Sequence, residues 1–598
     1  MCGIAGIIGD YDVSDISSLI EKNKHRGPDG TKVHKTHSFC FVHSLLKIMD
    51  LSDNSIQPMI DKVTGNIIIF NGSIYNYKDL KKKLFFKDSF NSNTDTEVLL
   101  KLYQKFGLGF IEHIKGMFSI AIYDKKINKI YIIKDKYGIK PLYYFSNYKN
   151  FIFASEIKTL ISHKIIKDTL LVDQNEVIKF IAHRQIHGFK NTLLKNINIL
   201  EAGHFIDFDL NIGQFKIKKY TTNNQYSLYD KDTVPFETKF DNIISQQSIT
   251  EHKKIACFMS GGLDSTLLSI ILKNQANGKE IHTFSSILNK PNDENKNIQL
   301  INKEYNFIEH YVNEDKVNFF EDHIKTIKDM DQPTADASMV VHNVLCREVS
   351  KNGFKVLFSG LGGDEIFFGY SIHMYAYLAK ILKEKSLREF LKTAKYLSEF
   401  TNDKKIILRS FKEILSQNKL NIFKRFQLSR NIKHLDYNFD IKNCDYYKTL
   451  SDDKFENIAL NYNSHWGLSY FLDYEDKNAM SYGIESRVPY LDYDLANFSQ
   501  NASLDDHFVV GSKSYLRKHS KMPKYILNYK KKYGFPGNLE RYLNINIDKI
   551  KEKIFYSFKD VPLININKLI NLTNDLKKNQ AIFFRTYSYG IWYNNTFK

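Results

Sequence analysis

Two stretches of this chain hold residue types whose spacing suits covalent chemistry. The first is Cys2, directly after the initiator methionine. Removal of Met1 makes Cys2 terminal, with a thiol and an α-amine on one residue. An α-amine titrates near ~8, so it takes the thiol proton at neutral pH without a separate histidine. The second is Ser260-Gly261-Gly262-Leu263-Asp264-Ser265, after the apolar run Ile255 to Met259 and before a helical pattern through Thr266, Leu267, Leu268, Ile270, Ile271 and Leu272. Paired glycines let the backbone close around an anion, and the helix start that follows presents free N–H groups to it. Ser260 and Ser265 add hydroxyl donors, and Asp264 suits a magnesium ion bridging phosphates. The bland alternative for each is an incidental cysteine and a ligand-free turn of small residues. The loop lacks a Walker A lysine, so it is not a P-loop.

The elements that position these groups follow from length and pattern. At 598 residues the chain exceeds what one core supports, so two domains are expected. Hydrophobic content of 43% and aromatic content of 14% are ample for packed cores. No apolar run reaches ~18 residues, and the start lacks the basic region and long apolar core of a signal peptide. The five cysteines (Cys2, Cys40, Cys257, Cys346, Cys444) form no CxxC pair, which fits a reducing cytoplasm and excludes a zinc ribbon. The net charge of +18 raises nucleic-acid binding as a class. The excess is lysine spread evenly beside asparagine and isoleucine, which describes a solvated surface and not a nucleic-acid or membrane partner.

Residues 1 to about 215 are β-rich, beginning with a strand from Cys2. The polar stretch Thr221-Thr222-Asn223-Asn224-Gln225 marks a linker at roughly 215 to 235. Beyond it strand and helix patterns alternate, as a parallel α/β sheet requires. Ile281 to Ser286 and Lys355 to Phe358 read as its further strands. Residues 371 to 465 are Lys-rich and helical in pattern, with no chemistry assigned.

Several segments turn Cys2 from an incidental residue into a site: His25-Arg26-Gly27-Pro28-Asp29, Asn71-Gly72-Ser73-Ile74-Tyr75-Asn76, Thr94-Asp95-Thr96-Glu97, Lys134 to Tyr144 and Ala154 to Lys158. With them the first 210 residues resemble the glutaminase domain of class II, N-terminal-nucleophile amidotransferases. The hexapeptide at 260–265 resembles the pyrophosphate loop of ATP pyrophosphatases. Together they resemble the glutamine-hydrolysing asparagine synthetase family. The resemblance implies an αββα sandwich over 1–215, then a parallel-sheet ATP pyrophosphatase domain with added helices over 216–598. It implies Cys2 as nucleophile, Asn71 and Gly72 as the oxyanion-hole pair, and Asp95, Asn71 and Gly72 as glutamine ligands. Arg26 to Pro28 and Tyr137 to Tyr144 read as loop architecture.

In the second domain the resemblance implies ATP contacts at Ser260, Gly261, Gly262, Asp264 and Ser265. Backbone of Met259 and Ser286 faces the adenine. Asp331 to Ser338 resembles a further family loop, and Ser359-Gly360-Leu361-Gly362-Gly363-Asp364-Glu365 a second glycine-rich one, in which Ser359 and Gly360 contact ATP. Asp264 and Asp364 are the implied magnesium ligands. Asp476 to Ser481 and Gly483 to Asp492 match a later block, where Glu485 and Arg487 read equally as an internal ion pair or as ligands. Lys532, before Tyr533-Gly534-Phe535, fits the basic residue that neutralises the adenylating phosphate.

Three departures stand out. The family helix reading His-Glu-Arg-Leu-Ser-Ile is His43-Ser44-Leu45-Leu46-Lys47-Ile48 here, with Leu45 in place of the Arg that holds the glutamine carboxylate. Ser73 replaces a Glu that helps bind the amino group. Losing a bidentate Arg–carboxylate contact costs on the order of 2–5 kcal/mol of binding, and Lys47 is the nearest substitute, as a point charge. Leu361 replaces a Glu tied to acyl-adenylate and ammonia handling.

The expected activity is ATP-dependent amidation of aspartate through an acyl-adenylate, with ammonia released from glutamine at Cys2. Products are asparagine, glutamate, AMP and pyrophosphate; ATP and Mg2+ are required, and a homodimer is compatible. Leu361 leaves open a different acceptor, such as a uronic acid or a secondary-metabolite carboxylate. The altered clamp leaves open free ammonia as donor. Ring closure of the β-lactam synthetase kind is disfavoured by Cys2, and RNA modification by the absence of zinc cysteines or a thiolation pair.

Overall fold

The computed structural model describes residues 2–86, 88–184, 190–220, 234–287, 293–314, 317–401, 403, 405–414, 431–436, 467–529 and 539–598. The front unit is built on two antiparallel six-stranded sheets. One contains β1 (Cys2–Ile8), β2 (Gly30–Lys35), β3 (Phe39–Leu45), β8 (Tyr143–Ser146), β9 (Phe151–Ala154) and β10 (Ile197–Ile199), in the order β10-β8-β9-β1-β3-β2. The other contains β4 (Met59–Ile60), β5 (Ile67–Ile74), β6 (Gly116–Asp124), β7 (Lys129–Lys134), β11 (His204–Asp209) and β12 (Gln214–Lys219), in the order β12-β11-β7-β6-β5-β4.

Side chains alternate across each strand. In β1, Ile4 and Ile8 pack between the two sheets with Phe41, Phe153, Ile67, Ile69 and Ile132. Ala5 and Ile7 face outward, under Leu19 and the helix Gln174–His183. The outer face of the second sheet is covered by Val98, Leu99 and Leu102 of the helix Asp95–Phe106. Two sheets are thus enclosed between helical layers. Because β12 pairs with β11 along Gln214 to Lys219, a division after residue 215 cuts through this strand.

The rear unit holds a five-stranded, wholly parallel sheet: β13 (Lys254–Phe258), β14 (Glu280–Ile287), β15 (Ile308–Asn313), β16 (Val356–Phe358) and β17 (Glu485–Arg487), in the order β15-β14-β13-β16-β17. Ile255 and Cys257 face one helical layer, and Ala256 and Phe258 the other, so the strand reads as a continuous apolar run. The C-terminal helix Leu576–Phe597 packs Phe583, Phe584 and Tyr587 into the same cluster as the front unit's Ile178 and Ile181. No described helix is long and apolar enough to cross a membrane. The described cysteines Cys2, Cys40, Cys257 and Cys346 are all buried and unbridged.

Candidate active sites

Cys2 opens β1 directly opposite Leu45 of β3, 6% exposed. Its backbone N–H donates to Asn71 Oδ1 at 3.2 Å. Burial pushes the thiol up, opposed by the amino-terminal charge and the Leu46 N–H. Asn71 is fully buried, and its Nδ2 has no hydrogen-bond partner among the described residues. A buried amide left unsatisfied in this way costs stability, and a donor held ready beside a nucleophile is what an oxyanion needs. At Gly72 an added Cβ would lie 2.0 Å from Met117 O, so only glycine lets β5 approach β6 there. Asp95 starts its helix after the cap Thr94 and accepts from Ile74 N–H at 2.9 Å. Burial and the charge of Glu485 raise its carboxyl to about 6.

The structure corrects one expectation at this site. The segment expected to be helical from His43 is strand through Leu45, with Ile4, Gly3 and Cys2 as register partners of His43, Ser44 and Leu45. It lies between β1 and β2, so ladder pairing on both sides overrides any helical tendency. Lys47, the nearest substitute for the missing Arg, pairs its ammonium with the exposed Asp53 at 2.8 Å. Arg26 is loop architecture of a demanding kind. It is fully buried and binds Cys2 O at 3.3 Å, Glu156 at 2.6 Å and Asp476 at 2.7 Å, the last from the rear unit. Lys140 joins Asp476 at 3.1 Å.

The second site lies at the carboxyl edge of the parallel sheet, where ligands of such sheets bind. After β13, Gly261 adopts φ +73°, a conformation that side chains disfavour, and the helix Leu263–Asn274 begins. Ser265 Oγ contacts Ser260 Oγ at 3.0 Å and accepts from Ser260 N–H at 3.2 Å, which holds the loop closed on itself. Met259 N–H donates to Phe284 O at 3.0 Å, and Ser286 Oγ, near the end of β14, donates to Glu314 at 2.5 Å. The second glycine-rich loop abuts the first: a Cβ at Gly360 would lie 3.2 Å from Ser265 N, and one at Gly363 2.7 Å from Asp264 Cγ. Ser359 N–H donates to Arg487 O at 3.0 Å, and Leu361 N–H to Ser359 Oγ at 3.4 Å.

Asp264 and Asp364 are brought together by a residue to which sequence reading assigned no role. Lys513 Nζ pairs with Asp264 Oδ2 and, at 2.7 Å, with Asp364 Oδ1. Burial opposes the ammonium, but the two carboxylates more than offset it and hold it above the usual lysine range. Lys513 itself has φ +56°, and a Cβ at Gly369 would strike both Asp364 and Lys513. A buried lysine forced into a left-handed turn is a strained position. Arg517 then ties the following chain down, with Nη2 donating to Tyr529 O at 3.0 Å. Lys532 lies outside the described residues.

Under the second loop, Glu475 accepts from Ser486 Oγ at 2.6 Å and from Ser359, and pairs with His342 at 2.8 Å. Burial penalises the imidazolium, yet Glu475 and the Cys346 sulfur hold it protonated to about 10. Of the last block, Glu485 and Arg487 form a buried ion pair at 2.6 Å.

Residues 1–221 match the family model of a glutamine amidotransferase domain, and residues 237–575 that of asparagine synthase. A Methanocaldococcus jannaschii protein provisionally named asparagine synthetase (glutamine-hydrolyzing) 2 is 31% identical over 419 residues, covering 66% of this chain and 79% of that one. Asparagine synthetase (glutamine-hydrolyzing) 1 of Bacillus subtilis is 25% identical over 614 residues, covering 96% and 93%. Among solved structures, glutamine phosphoribosylpyrophosphate amidotransferase from B. subtilis matches 52% of this chain and 90% of its own at 12% identity, with a TM-score of 0.30. With both family models in order along it, the chain belongs to the asparagine synthase family, with a glutamine amidotransferase domain in front.

Proposed function

We propose that this protein is a glutamine-hydrolysing asparagine synthetase. Cys2, freed of Met1, attacks the side-chain amide of glutamine and expels ammonia, leaving a thioester that water cleaves to glutamate. Its own α-amine takes the thiol proton. Asn71 Nδ2 and the Gly72 N–H receive the oxyanion, and Asp95 receives the α-ammonium group. Ammonia crosses the interior to the second site, where bulk water cannot protonate it.

At the second site the β-carboxylate of aspartate attacks the α-phosphorus of ATP and pyrophosphate leaves. Ammonia then displaces AMP from the acyl-adenylate to give asparagine. Ser260, Gly261, Gly262, Ser265, Ser359 and Gly360 cradle the phosphates, backbone of Met259 and Ser286 meets the adenine, and Lys532 neutralises the reacting phosphate. Asp264 and Asp364 converge on one cation, Lys513. Oxygen donors of this kind suit Mg2+, which takes one or two carboxylates and completes its shell with phosphate and water. No group of three His, Cys, Asp or Glu converges on a metal position among the described residues. Asp264 and Asp364 would hold the ion, and it would offset phosphate charge.

The observation that carries this reading is the pairing of Cys2 with Asn71, whose amide donor is buried and has no partner among the described residues. The test measures asparagine formation from aspartate and ATP with glutamine or ammonium, in wild type and Cys2→Ala. Glutamine-supported synthesis lost in the variant, with ammonium still effective, is expected. No asparagine from either donor overturns the reading, and a screen of other carboxylates for AMP release then identifies the acceptor.

A further inference from the structure

Ser73 and Glu485 are 412 residues apart in sequence, yet Ser73 Oγ lies 3.2 Å from Glu485 Oε1 and 3.3 Å from Oε2. Ser73 follows Asn71 by two positions on β5, so the two share one face of the strand, and Asn71 is bonded to Cys2. Glu485 opens β17, the edge strand of the parallel sheet in the other unit. Both side chains are buried.

Arg487 fixes how the carboxylate is presented. Its Nε and Nη2 each lie 2.6 Å from Glu485 Oε1, and its Nη1 donates to Ile249 O at 2.9 Å and to Gln247 O. The guanidinium is thereby tethered to its own unit and aims the carboxylate at β5. Arg487 holds Glu485 ionised against burial, down to about 2. The charge acts on the front site: Glu485 helps raise both the Cys2 thiol and the Asp95 carboxyl.

Two buried carboxylates, one from each unit, therefore bear on one thiol. For a neutral amide substrate this arrangement is a handicap, since it disfavours the thiolate. A substrate that brings a cation offsets it. We propose that Glu485, supplied by the rear unit, is a ligand of the front pocket for the α-ammonium group of the amide substrate, alongside Asp95, with Ser73 orienting it. This rests on the glutaminase reading above. It makes the front pocket incomplete without the rear unit, and it places an acidic group from β17 beside the position where Ser73 provides none.

The test compares hydrolysis of glutamine with that of glutaramate, which lacks the α-amino group, in the full-length wild type, Glu485→Gln and Ser73→Ala. Glu485→Gln is expected to lower kcat/KM for glutamine by roughly 10–100-fold, the range for a charge-assisted contact, and to change glutaramate hydrolysis by less than about threefold. Ser73→Ala is expected to lower the same preference ratio by a smaller factor, and it carries the test if Glu485→Gln does not fold. Equal losses on both substrates, or an unchanged ratio in both variants, overturn the proposal and leave the glutaminase reading standing. A wild type that hydrolyses neither amide overturns both.

Discussion

Lys513 Nζ lies 2.7 Å from Asp364 Oδ1 while also pairing with Asp264, so one buried ammonium holds both loop carboxylates of the proposed ATP site. Lys513→Met leaves the two carboxylates without this cation, a loss of the kind that costs about 3–5 kcal/mol. ATP–pyrophosphate exchange in the presence of aspartate is expected to fall by two orders of magnitude or more. Glutamine hydrolysis by the same variant should fall far less. Equal retention of exchange would remove Lys513 from the site.

Chelation of divalent metal is expected to stop AMP release while leaving glutamate release in place. The reason is that Asp264 and Asp364, the proposed Mg2+ ligands, sit at the sheet's carboxyl edge, whereas the thioester chemistry proposed for Cys2 needs no metal. Restoring Mg2+ should restore AMP release, and Asp364→Asn should raise the Mg2+ concentration needed. Glutamate release that dies with the metal would contradict the division.

Asn71→Ala removes the side-chain amide donor proposed for the oxyanion beside Cys2. Glutamine kcat is expected to drop by ~10²–10³-fold, the measure of one oxyanion donor, with a smaller change in KM. Steady-state glutaminase kinetics check this. A pure KM effect would make Asn71 a binding group and not an oxyanion donor.

Asp95 titrates near 6, raised by burial and by Glu485. Its folded value lies above the usual 3.8, so the protonated form is favoured in the folded state. The stability this contributes is present below the unfolded value and is lost as pH rises through about 6. Function has the opposite demand, because an ammonium ligand must be ionised. KM for glutamine is therefore expected to rise as pH falls through about 6, and Asp95→Asn should abolish that limb while raising KM throughout.

His342 is raised from the usual 6.5 to about 10, held charged against burial by the Cys346 sulfur and by Glu475. Its contribution to stability is present below 6.5 and is lost as pH rises toward 10. Thermal unfolding followed from pH 6.5 to 10 should show a declining Tm in wild type and a flatter profile in His342→Gln. Parallel profiles would show that His342 does not hold this charge.

What the sequence determined by itself was local. Gly261, Gly262 and the helix start after them specify a phosphate-shaped turn, because positive φ and free N–H groups are written into adjacent residues. Asn71-Gly72 is legible for the same reason, and so are β13 and β16, whose apolar runs end in the two loops. The tertiary structure decided what lies far apart along the chain. The Arg26–Asp476, Ser73–Glu485 and Lys513–Asp264 contacts join residues hundreds of positions apart, and no spacing rule announces them. It also decided that His43 to Leu45 is strand, since pairing partners on either side, not the segment's own residues, set its conformation. Backbone shape in a turn is a property of its own few residues, whereas a buried charge can find its partner only once two sheets and their helices have packed.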